Sequence, residues 1–174
     1  MFDTIAGLPI HPLVVHAVEV IVPLAAVAVL LAAAWPRFRR WAFALPLLLS
    51  LAALVLVPVA TQSGEALEER VGETAALETH TQMGEQLLPW VIGLAAVAAA
   101  LFYLTWRARR ADGAPSGGAA PRWVALVLLA ASLVLSTGTL VQAVRIGHSG
   151  ATAVWGQTAD ASGPGAGDGD SDGD

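Results

Sequence analysis

The sequence predicts an all-α integral membrane protein, a four-helix bundle with short amphipathic helices in one outer loop. Three observations carry that expectation. The chain is 56% hydrophobic and only 13% charged, against roughly 25% charged residues in soluble domains. Four apolar stretches, residues 13–35, 41–61, 87–106 and 123–146, can each cross a hydrocarbon core of about 30 Å, which takes roughly 20 helical residues. Uninterrupted runs such as LAAVAVLLAAAW lack the alternation of a membrane barrel, which leaves helices as the spanning structure.

Taken in order, MFDTIAG carries Asp3 instead of a basic stretch and shows no cleavage pattern, so the first apolar run is expected to be retained. That run opens at His11-Pro12, with proline suited to the first helical position. Pro23, Pro46, Pro58 and Pro89 predict kinks inside or at the ends of spans. The outer loop, SGEALEERVGETAALETHTQMGEQ, is rich in helix formers. Ser63 is expected to cap a short helix ending at Gly72, and Thr74 a second one running through His80 into the third span. GLAAVAAA allows close helix approach, and Ser132, Ser136 and Thr139 at helical spacing suit interhelical hydrogen bonds. ADGAPSGGAAP reads as a flexible connector. Residues 1–156 form the transmembrane domain, and 157–174 read as a disordered acidic tail. No internal repeat is visible.

Arginine sets the expected orientation, because all nine basic residues are arginines. Arg37, Arg39 and Arg40 lie between the first two spans, and Arg107, Arg109, Arg110 and Arg122 between the last two; Arg70 and Arg145 alone lie elsewhere. These loops are expected to face the cytoplasm, with both termini and the outer loop on the opposite side. All six tryptophans fall at expected interfaces, with Trp35, Trp41, Trp106 and Trp123 inside and Trp90 and Trp155 outside, as an aromatic belt.

Absence of cysteine excludes disulfides, thiolate metal sites and cysteine nucleophiles. The net charge of -5 comes mostly from five aspartates in the last 15 residues, and nucleic acid is not an expected partner. DGDSDGD matches only the first half of a calcium loop and reads as a solvated tail. No serine nucleophile elbow or phosphate loop is present. Histidine, carboxylate and arginine must carry any chemistry.

Counting about 1.5 Å per residue outward from the inner tryptophans places Glu19 and Thr139 near 24 Å, His16 and Gln142 near 28 Å and Arg145 near 33 Å. The same count places His11, His148 and His80 at about 36 to 39 Å, so all four histidines belong to the outer end. A carboxylate within a span costs about 2.5 to 3.5 kcal/mol on the insertion scale and calls for a partner, for which Arg145 is the natural choice, with His16 one turn earlier on the same face. Histidines converging between helices suit either a haem b held by two opposed imidazoles, His80 with His148 at one level or His16 deeper, or a non-haem metal ion held by three imidazoles such as His16, His80 and His148. His11 is a further candidate ligand. Gly84 leaves room beside an imidazole, and Ser149 or Glu85 would orient a ring.

The blocks GLPIHPLVVH, SGEALEERV, ETHTQMGEQLLPW and RIGHSGATAVWG together resemble the bacterial membrane-protein family called domain of unknown function 2231, over about residues 7 to 156. The resemblance implies a four-helix bundle of the bacterial inner membrane in contact with lipid, and assigns no ligand. Three functions follow from the polar residues. The first is haem or metal binding in electron transfer at the outer face, with a membrane or periplasmic redox partner. The second is a non-catalytic accessory or scaffold subunit locked by Glu19 and Arg145. The third is proton-coupled transport through His16 and Glu19.

Overall fold

The structure of the chain is a computed structural model that describes residues 4–5, 8–71, 75–111 and 121–161. A two-residue antiparallel pair, β1 (Thr4–Ile5) and β2 (Leu8–Pro9), precedes α1 (Ile10–Ala34), α2 (Pro36–Ala42), α3 (Leu45–Val71), α4 (Ala75–Glu85), α5 (Leu87–Ala111) and α6 (Arg122–Ala161). Among the described residues four stretches are long and apolar enough to cross a membrane: Ile10–Ala34, Leu45–Glu68, Ala75–Ala111 and Arg122–Thr152. They coincide with the four expected spans, with shifted ends.

The shifts have local causes. Trp35 is extended, at φ -124° and ψ 98°, because Pro36 follows it, and the proline begins α2. The chain then turns at Phe43, whose φ of 43° is left-handed, so α3 starts at Leu45 and not at Trp41. That conformation costs a non-glycine residue on the order of 1–3 kcal/mol. Phe43 offsets it by closing α2 with an N–H bond to the Arg39 carbonyl at 3.1 Å. Its ring also packs on Phe102 at 4.9 Å between centroids, under the Arg109 guanidinium at 4.1 Å.

At the opposite end α3 runs through Ser63 without a break, so the first short helix expected in the loop is simply its continuation. Ser63 caps nothing; its hydroxyl donates to the Ala60 carbonyl at 3.0 Å. The second expected helix is α4, while Gly72 and Thr74 lie outside the described residues. Helix α6 continues well past the expected end at residue 146, to Ala161. Glycine in a helix costs about 1 kcal/mol, and here α4 packs along α6 and supports the stretch that carries Gly147 and Gly150. The tail from 162 onward is outside the described residues.

The spans close into a ring in the order α1, α3, α5, α6. Towards the arginine end the core is Ala25, Ala26, Val29 and Ala32 against Leu94, Val97, Ala98 and Leu101, small residues that let the helices approach closely. Nearer the histidines it is Val22, Ala53, Val57, Leu87 and Val91. The outward faces of the spans, with Val20, Leu24, Val27, Leu48, Val55, Val134 and Val141 exposed, are what lipid covers. Of the three hydroxyls expected to join helices only Ser136 does, donating to the Ala26 carbonyl at 2.8 Å. Ser132 bonds its own helix at Leu128, and the buried Thr139 hydroxyl has no partner among the described residues. Trp35, Trp41 and Trp123 are exposed, in keeping with an interfacial belt, but Trp90 departs from it: half-buried, its ring lies over Gly138.

Candidate functional site

Above Val57 and Leu87, at the end opposite the arginines of the 37–40 and 107–122 segments, α1, α3, α4 and α6 diverge around a cavity of about 520 Å³. Its walls are mainly apolar, and its polar groups are His11, His16, Glu19, Thr61, Glu68, His80 and Thr81.

Two of the imidazoles are held by the same device. The His11 ring lies against Gly64 of α3, where an added Cβ would stand 2.9 Å from its Cε1. Its Nδ1 is 3.1 Å from the Ala60 carbonyl and 3.2 Å from Ser63 Oγ, and the Ser63 hydroxyl has given its own proton to that same carbonyl. Both neighbours can only accept, so Nδ1 carries the proton and Nε2 keeps a lone pair. His80 repeats the arrangement on α6. Its ring lies against Gly150, where a Cβ would stand 3.0 Å from Cε1, and its Nδ1 is 3.0 Å from Ser149 Oγ, whose hydroxyl donates to Ile146 at 2.9 Å. Each ring is thus seated on a Ser-Gly pair of a span in its own half of the chain, α3 for His11 and α6 for His80.

His16 is set differently but presents the same group. Its Nδ1 donates to the Pro12 carbonyl at 2.6 Å, one turn earlier in α1, which leaves Nε2 free. Thr61 gives its proton to the Val57 carbonyl at 3.1 Å, and Thr81 gives its own to Glu68 at 3.0 Å, shared with Leu77. Every proton on a neutral polar side chain around the cavity is therefore already committed. With Glu19 and Glu68 ionised and the imidazoles neutral, the cavity offers acceptors and no donor.

A family model described as predicted membrane protein (DUF2231) matches residues 7–162. The chain belongs to this family. No curated protein and no solved structure matches it. The family match begins ahead of His11 and runs beyond Gly150, so both Ser-Gly seats lie within it. Membership agrees with the four apolar helices: this is an integral membrane protein in contact with lipid.

Several expected site residues are arranged otherwise than their depth suggested. His148 is exposed and is not part of the cavity wall. Because α6 stays regular through Gly147 to Gly150, successive residues fan around it by a little over a quarter turn each. The stripe facing the bundle runs Ser132, Ser136, Thr139, Ala143, Ile146, Gly150, which leaves His148 about half a turn away. Arg145 is off the same stripe, exposed, and no ion pair joins it to Glu19 among the described residues; the expected lock between the first and last spans is not formed. Nor, among the described residues, do any three His, Asp or Glu side chains group closely enough to hold a metal ion, so His16, His80 and His148 make no three-imidazole centre. Gln142 serves the fold: its amide donates to the Met83 carbonyl at 2.9 Å and satisfies the last turn of α4. Gly84 lines the cavity with nothing within 4 Å of a would-be Cβ. Glu85 is exposed and outside the wall.

The residues that sequence reading missed are Ser63, Gly64, Glu68 and Thr81. A signal for the first two was present: QSGEA and HSGAT each follow a long apolar run whose hairpin partner is preceded by a histidine. It is a repeat of two residues and a partner, too short to register as self-similarity along the chain.

Proposed function

We propose that the cavity holds haem b between His11 and His80, and that the protein carries electrons at the outer face of a bacterial inner membrane, arginine end towards the cytoplasm, for a membrane or periplasmic redox partner. The observation that carries this reading is the duplicated seat. Haem iron takes the Nε2 of a neutral imidazole, and such ligands are oriented by an acceptor for Nδ1–H. His11 and His80 both line the one apolar cavity, each with an oxygen within about 3 Å of Nδ1 that suits this role. The donor set fits the group in a second respect, since a cavity that offers only lone pairs suits a Lewis acid. Space for a flat ring is available where Gly84 and Gly147 line the wall, each with nothing within 4 Å of an added Cβ. When bound, haem would supply a one-electron couple; His11 and His80 would hold it, Ala60, Ser63 and Ser149 would orient the rings, and the valine and leucine side chains of the wall would exclude water.

The test is the absorption spectrum of protein purified from haem-replete cells. A Soret band with sharp low-spin bands on reduction is expected, lost in His11→Ala and in His80→Ala but kept in His148→Ala. Wild-type protein with no Soret band and no iron by elemental analysis overturns the proposal.

A further inference from the structure

Deeper on α1, His16 and Glu19 form one lip of the same cavity, with Thr61 of α3 across from them. His16 is five residues below His11, about 7.5 Å further into the membrane, and Glu19 lies about 12 Å below it. Measured from Trp35, Glu19 is about 24 Å along a span that crosses a core of about 30 Å, so its carboxylate is inside the hydrocarbon. Both side chains are exposed and line the cavity, and neither has an ion-pair partner among the described residues. A carboxylate in that position is a functional site by default.

What it takes follows from what it offers. His16 has spent its Nδ1–H on Pro12 and Thr61 its hydroxyl proton on Val57, so with the imidazole neutral and Glu19 ionised the lip presents an imidazole Nε2, a carboxylate and a hydroxyl oxygen, all accepting. An anion, a phosphate or a ketone finds no donor here. A ligand must bring its own protons, must reach the lip through lipid, and must carry an apolar body for Val15, Val18 and Val57. His16 and Glu19 stand three residues apart on one helix face, with Cβ atoms about 5–6 Å apart, a spacing that two hydroxyls on opposite sides of a single aromatic ring can bridge.

We propose that this lip binds a lipid-borne hydroquinone, its two O–H groups donating to His16 Nε2 and to the Glu19 carboxylate. The proposal concerns binding alone and stands whether or not the cavity above holds haem.

The probe is decylubiquinol, set against its oxidised quinone, with protein in phosphatidylcholine nanodiscs prepared both with and without haem supply. The expected result is saturable binding of the hydroquinone above its partition into empty nanodiscs, about tenfold or more stronger than that of the quinone, which has no O–H to give. Glu19→Leu and His16→Leu, both compatible with a lipid-facing helix, abolish that preference, and Glu19→Ala and His16→Ala serve where a leucine variant fails to fold. Equal binding of quinone and hydroquinone, no saturable excess, or a preference that survives in folded variants at both positions overturns it. So does decylamine displacing the hydroquinone at lower concentration, because the lip would then be a cation site. Absence of a Soret band leaves this experiment unaffected, so the two proposals fail separately.

Discussion

Replacing Gly64 with alanine isolates the seat of His11 from the stability of the fold. The added Cβ would stand 2.9 Å from His11 Cε1, whereas carbon atoms settle at about 3.5–4.0 Å. The ring must retreat by about 0.6 Å or more. Moving straight back, Nδ1 would leave the Ala60 carbonyl at 3.1 Å and Ser63 Oγ at 3.2 Å for distances beyond hydrogen-bond reach. That loss costs about 0.5–1.5 kcal/mol, while exchanging a helical glycine for alanine returns about 1 kcal/mol. Thermal unfolding in detergent should therefore change little, while the ring is freed. Histidine 15N resonances of protein in nanodiscs report the tautomer directly, and the His11 pair should lose its fixed Nδ1–H signature and exchange with water. Gly147→Ala is the control, since its Cβ meets nothing within 4 Å: the same gain in helix propensity with the His11 and His80 signals untouched. An unaltered His11 signal in Gly64→Ala would refute the argument that the glycine seats the ring.

The two seats are not equivalent, and serine replacement should show it. In Ser63→Ala, His11 keeps the Ala60 carbonyl, whereas in Ser149→Ala the His80 Nδ1 keeps no acceptor among the described residues, so Ser149→Ala should cost about 1 kcal/mol more in unfolding free energy and release the His80 tautomer. Gly138→Ala drives a Cβ into the Trp90 ring and should destabilise by about 1–3 kcal/mol, read as a lowered melting temperature with shifted tryptophan fluorescence. Glu19 and Arg145 should behave independently: the double-mutant cycle of Glu19→Ala with Arg145→Ala gives a coupling within about 0.3–0.5 kcal/mol of zero, and a value above 1 kcal/mol would restore the ion pair. In spheroplasts, a membrane-impermeant maleimide should label Thr79→Cys and spare Ala108→Cys, each the sole cysteine of its chain; the reverse pattern would invert the orientation read from the arginines.

The spans were legible because lipid imposes a coarse rule, about 20 apolar residues per crossing, that composition alone satisfies. Their ends were less so, because they depend on single residues: Pro36 forcing Trp35 extended, Phe43 adopting a left-handed turn that packing with Phe102 supports, and α4 stabilising a glycine-rich stretch of α6 that propensity alone would end early. For the site, counting along each helix supplied depth but no azimuth. His148 and Arg145 stand at plausible levels and on the wrong side, while Ser149 and Gly150, the next residues along from His148, face His80. The apolar and small residues of α6 repeat every three to four positions through Gly150, and that period places His148 outside. What no periodicity could supply is the hydroxyl of Ser63 turned back on Ala60, because in a sequence it reads equally well as a helix cap.

The ring order α1, α3, α5, α6 gives the duplicated seat its consequence. Each half of the chain builds its own imidazole clamp, His11 on Ser63-Gly64 from α1 and α3, His80 on Ser149-Gly150 from α4 and α6. Neither half encloses the cavity alone; it exists only where the halves meet, with Val57 and Leu87 as its floor. Rigidity within each clamp and adjustability between them are then separable properties. A ligand that bridges both clamps adds to the contacts of α4 with α3 and α6 that join the halves at the histidine end, whereas the alanine-rich packing of α1 against α5 already holds the arginine end. Occupancy should accordingly stabilise the histidine end most, and amide exchange in α4 and in α6 beyond Gln142 should slow on ligand binding while exchange around Ala25–Val29 stays as it was. Uniform slowing along the whole bundle would mean that the halves are already locked without a ligand and that the cavity is a fixed vessel, with no part in joining them.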